Sequence, residues 1–83
     1  MSDNTRVAVI GVIVEDNSAA AELNDLLHEY ADTIFGRMGI PHREKGIFII
    51  SIAVDADEDT INALSGKLGA IEGVSTKTIY SKA

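Results

Sequence analysis

Four polar residues in succession, Glu15-Asp16-Asn17-Ser18, put two carboxylates, an amide and a hydroxyl at one point between an apolar run and an amphipathic one. A second polar concentration lies between Gly36 and Gly46, which holds three of the seven Lys/Arg residues, one of the two histidines and the only proline. The first group suits a ligand site at a helix entrance, where unpaired backbone N–H groups meet an anion or a polar molecule. Arg37, His42, Arg43 and Lys45 form a local positive rim on an acidic protein, suited to a carboxylate ligand or to the acidic Asp55–Asp59 stretch of a neighbouring copy. Glu15, Asp16, Asn17, Ser18, Arg37 and Arg43 are therefore the candidate ligand-binding residues. Simple helix capping by the first group is the competing explanation.

Other chemistry is poorly supported. With no cysteine, disulfides, thiolate zinc sites and a cysteine nucleophile are excluded. The histidines are separated: His28 has Asp32 four residues on, and His42 stands beside Arg43 and Glu44. A metal site commonly needs three or four convergent ligands, so His42 is only a weak metal candidate, through convergence across an interface, and a solvated histidine is the plainer reading. No cofactor is expected. Ser65-Gly66-Lys67-Leu68-Gly69 lacks the spacing of a phosphate loop, because Ile61 stands where its first glycine belongs. Acyl-phosphate hydrolysis would need a cation in the first loop, which here is acidic. No catalytic constellation can be inferred, and the chain reads as a non-enzyme.

The elements that carry these residues follow from periodicity. Thr5 to Asp16 is apolar and β-branched, a strand. Leu23, Leu26, Leu27, Tyr30 and Ala31 then recur at helical spacing, with Asp16 or Asn17 as N-cap. Thr33 to Ile40 is a weaker strand with two glycines, suited to a sheet edge, and Pro41 would end its ladder. Pro41 to Lys45 would connect it to a strong strand, Gly46 to Ala56. A second helix carries Ile61, Leu64, Leu68 and Ile71 on one stripe behind an acidic start, with Gly69 and Gly73 as stop and turn. Val74 to Ser81 closes the chain as an edge strand. The order β-α-β-β-α-β gives an α+β, ferredoxin-like fold: a four-stranded antiparallel sheet with two helices on one face, strands one and three central. Residues 1–83 form one domain.

An open sheet face should alternate with polar residues, but strands one and three are apolar on both sides. Leaving half a dozen such side chains in water would forfeit on the order of 10 kcal/mol, comparable with the whole stability of a small domain. The expectation is a homo-oligomer, dimer or tetramer, closed through the open face or the edge strands. Against it stands the ordinary apolar character of central strands. Polar Met1–Asn4 and an apolar run of eight residues offer neither signal peptide nor membrane span, so a cytoplasmic protein is expected. A net charge of -6 argues against direct nucleic-acid binding.

The segments Leu26–Tyr30, Gly36–Pro41, Ile61–Gly69 and Gly73–Thr78 together resemble the family of iron-only hydrogenase system regulators, over about Arg6 to Thr78. The resemblance implies an ACT-like regulatory domain, similar also to the C-terminal domain of nickel-responsive repressors, and oligomeric. It brings no catalytic residues. The histidine and cysteine nickel ligands of those repressors have no counterpart in this chain, and strand one begins too near Met1 for their DNA-binding segment. The expected function is a ligand-sensing regulator in transcriptional or metabolic control, with a small-molecule effector. The alternatives are a metal sensor related to the nickel repressors, or a structural protein-interaction module.

Overall fold

A computed structural model describes residues 5–82; the polar start, Met1–Asn4, lies outside them. Strand β1 (Thr5–Val14) leads through a 3-10 turn (Asn17–Ala19) into helix α1 (Ala20–Glu29). A second 3-10 turn (Ala31–Thr33) precedes β2 (Ile34–His42), and a third (Arg43–Lys45) separates it from β3 (Ile47–Asp57). Helix α2 (Glu58–Gly69) and strand β4 (Val74–Tyr80) complete the order β-α-β-β-α-β. The sheet runs β2-β3-β1-β4, antiparallel throughout. The two strands apolar on both sides are the central pair, as expected for a ferredoxin-like α+β fold.

The core lies between sheet and helices. Ala8, Ile10, Val12 and Val14 of β1 and Ile50, Ile52 and Val54 of β3 point to the helices and are buried. Leu23 and Leu27 of α1 meet them, with Ile61, Leu64 and Leu68 of α2 and Ile71 beyond it. Spacings of four, three and four residues keep these helical side chains on one stripe. Of the stripe read from sequence on α1, Leu26 and Tyr30 are partly buried at its margin, while Ala31 falls in the following turn and is exposed.

The caps explain where each helix starts. Asp57 Oδ2 accepts from the Thr60 backbone N–H at 3.2 Å, and Asp57 Oδ1 accepts from the Thr60 hydroxyl. Glu58 and Asp59 add negative charge to that first turn. Asp16 caps the 3-10 turn that opens α1 rather than α1 directly.

Two boundaries differ from the sequence reading. Pro41 does not end the ladder: it pairs with Phe48, and His42 with Ile47. A proline is tolerated there because β2 is an edge strand with one unpaired side. The hairpin connection is therefore shorter, Arg43–Lys45 plus Gly46 at φ 66°. The end of α2 agrees with the sequence reading: Gly69 is its last residue, Ala70 caps it, and Gly73, at φ 84°, makes the turn. Gly73 is also required by proximity, since a Cβ there would lie 2.6 Å from Asp16 Cβ. Its carbonyl accepts from Glu15 N–H at 2.7 Å, tying the β1–α1 connection to the start of β4.

Candidate functional site

Cross-strand pairing fixes what the sheet shows on the side away from the helices. One row is Gly36, Ala53, Val9 and Ile79; the next is Met38, Ser51, Gly11 and Lys77; the third is Ile40, Ile49, Ile13 and Ser75. Val7 extends the apolar surface opposite Asp55. Val7, Val9, Ile13 and Ile49 are each 42–43% exposed, and Met38, Ile40 and Ile79 reach 51–71%. Monomeric soluble proteins scatter such residues singly; here seven share one face.

The middle row is low. Gly11 leaves a shallow depression of about 410 Å³ walled by Ile13, Ile49, Ser75 and Lys77. Nothing within the protomer demands a glycine at 11: its φ is negative, and a Cβ would meet only the Lys77 carbonyl oxygen at 3.8 Å.

The residues singled out in sequence fall into three places. Asp16 and Ser18 are engaged with each other: Asp16 Oδ1 accepts from the Ser18 backbone N–H at 3.0 Å and from the Ser18 hydroxyl at 2.8 Å. Those two bonds, the backbone one foremost, hold the Asp16 carboxyl below the usual carboxylate range. The Glu15 side chain is exposed beside them. Asn17 instead lines a depression of about 250 Å³ with Pro41, His42, Arg43 and Phe48. Arg37 lies apart from both, in a pocket with Asn24, Leu27, His28, Ala31 and Ile34. Arg37 is thus separated from His42 and Arg43. Asn24 was missed by sequence reasoning; its four-residue spacing to His28, one helical turn, was the available signal.

Gly36 and Gly39 also differ from each other. A Cβ at Gly39 would stand 2.9 Å from the ring of Phe48, which lies over it, whereas at Gly36 it would make only ordinary contact with Ala53. Close approach is required at Gly39 alone. Lys67 is exposed but bridges the helices: its Nζ is 3.9 Å from Glu29 Oε2 and 5.2 Å from the Tyr30 ring centre. Hydrogen bonding and charge from Tyr30, then the charge of Glu29, raise its pKa. Among the described residues no three His, Asp or Glu side chains gather as metal ligands, and no helix is long and apolar enough to cross a membrane.

Strand order and helix placement make this a ferredoxin-like α+β domain. The chain belongs to the TM1266-like family, whose description reads "Iron-only hydrogenase system regulator, putative" and whose model matches residues 6–78. It is similar to the solved structure of the uncharacterized protein TM1266 from Thermotoga maritima, at 40% identity and TM-score 0.90, covering 94% of this chain and 99% of that one. The C-terminal domain of the MgtC protein from Mycobacterium tuberculosis shares the fold at 10% identity and TM-score 0.72, covering 99% of this chain and 94% of that one. A formyltetrahydrofolate deformylase from Pseudomonas putida KT2440 shares it at 16% identity and TM-score 0.65, over 93% of this chain but 29% of the enzyme. No curated protein matches the chain.

Proposed function

We propose that this chain is a non-catalytic regulatory domain of the ACT-like kind, working in the cytoplasm as a homo-oligomer whose subunits meet through the open sheet face. It would serve transcriptional or metabolic control by binding a small effector, and reach DNA only through a partner. The observation that carries the reading is the apolar sheet face with seven large side chains about half exposed. Covering the remaining surface of each would contribute about 1 kcal/mol, which together is a substantial fraction of the stability of a small domain.

A second copy is the occupant this face fits. Four strands about 4.8 Å apart, with residues rising about 3.3 Å each, give a patch on the order of 20 by 25 Å. Its accessible area approaches the roughly 800 Å² per partner of a standard interface. The three central rows carry a single charge, Lys77, although the protein as a whole is at -6, so self-pairing here brings few like charges together. Gly11 fits the same account. A glycine inside a central strand costs about 0.5–1 kcal/mol, and its hollow would admit a side chain from the facing sheet.

The test is the double variant Val9→Lys/Ile13→Lys, followed by light scattering after gel filtration. Both residues are already 42% exposed in the protomer, so the variant should fold and run as a single chain while the parent runs at a multiple of it. Identical masses for parent and folded variant would refute the face as the interface.

A further inference from the structure

We propose that the pocket between α1 and β2 binds a small organic carboxylate with a short aliphatic body, gripped by Arg37. In register, Arg37 pairs with Ile52, which is fully buried against the helices. Arg37 therefore lies on the helix side of the sheet, where the two central strands carry core residues. Helix α1 does not extend over the edge strand, and β2 is exposed from Phe35 to His42. The result is a cleft of about 350 Å³ open along the edge.

Its lining divides by chemistry. Leu27, Ala31 and Ile34 give an apolar floor, and Asn24, His28 and Arg37 surround it with an amide, an imidazole and a guanidinium. No carboxylate lines the pocket, in a chain with 13 Asp and Glu residues. The Arg37 side chain makes no hydrogen bond or ion pair among the described residues, in contrast to that of Arg6, which reaches Glu58 at 3.3 Å. The side chains of Asn24 and His28 likewise have no hydrogen-bond partner among the described residues. A solvated arginine on an edge strand needs no partner. This one, however, shares a concave, acid-free pocket with two further polar groups over an aliphatic floor, the usual composition of a small-molecule site.

A guanidinium offers a planar fork that matches a carboxylate or a phosphate. One such group, without a second fixed cation or a helix N-terminus beside it, suits a singly charged carboxylate better than a phosphate dianion. The floor then selects an aliphatic tail. The pocket is complete within one protomer and opens on the side opposite the proposed interface. This inference rests on the regulatory reading for its purpose, while its chemistry stands whether or not the chains associate.

The test is a titration of the isotope-labelled full chain, followed by amide NMR shifts, with 4-methylpentanoate, its neutral analogue 4-methylpentanamide, and inorganic phosphate. The carboxylate should give saturable shifts centred on Asn24, His28, Ile34 and Arg37. The amide and phosphate should bind at least about tenfold more weakly, as expected when a charge-assisted fork is lost or mismatched. Arg37→Ala should weaken the carboxylate by about the same factor, and Ala31→Phe, which fills the cleft, should abolish binding. The proposal is overturned by no saturation up to about 20 mM, by shifts centred elsewhere, by equal binding of the amide or phosphate, or by an unchanged affinity in folded Arg37→Ala. Failure here leaves the subunit mass untouched, and failure of association leaves the titration untouched, so the two results are separable.

Discussion

Asp57 shows how much a single side chain does in this small protein. Its carboxylate accepts from both the hydroxyl and the backbone N–H of Thr60, and these bonds, the side-chain one foremost, hold its pKa below the usual carboxylate range. A carboxyl with a depressed folded pKa contributes stability that is full above its unfolded value, about 4. That contribution is lost as pH falls through the lower folded value. Asparagine caps helices nearly as well but does not titrate. Asp57→Asn should therefore melt at most a few degrees below the parent at pH 7. The gap should narrow between about pH 5 and pH 2, as thermal melts across that range will show; a constant gap would mean that the Asp57 charge contributes nothing. Asp16 acts in the same sense, and of the four polar residues in its loop it is the one whose bonds to Ser18 leave it least available to a ligand.

At the level of elements, β4 is held at its far end by β1 and α2. The Arg6 guanidinium lies 4.3 Å from the Tyr80 ring centre and donates to Glu58 Oε1 and to the Ser81 carbonyl, both at 3.3 Å. The Tyr80 hydroxyl donates to Asn62 Oδ1 at 2.7 Å, and Ser81 N–H donates to the Val7 carbonyl at 2.8 Å. Arg6→Ala should loosen that end by about 0.5–1.5 kcal/mol, seen as faster amide exchange at Tyr80 and Ser81 with little change at Ile10 or Val12. Uniform acceleration would mean a global effect instead. Element order and the central position of β1 and β3 were legible because periodicity changes sharply from two-sided apolar strands to helices with a four-three-four stripe. The ends of β2 were not. Proline and glycine are strong breakers in a paired strand and weak ones on an edge, and a sequence does not show which side of Pro41 is paired. The candidate site was legible as a set of polar residues but not as a grouping, since whether Arg37 neighbours His42 or His28 depends on how far α1 reaches across the sheet.

At the scale of the whole molecule, no element among the described residues covers the second face of the sheet, and the sequence fills that face with Val, Ile and Met. Both observations point the same way. A protomer of 83 residues is small for a single core, and a sheet-to-sheet contact would add a second apolar layer at the usual spacing of about 10 Å. In the proposed arrangement the sheets would build the assembly and the helix faces would remain open to a small molecule. The most direct measurement is native mass spectrometry of the unmodified chain at low micromolar concentration. The account predicts a discrete multiple of the 8.8 kDa protomer mass, and a single species at the protomer mass would contradict it.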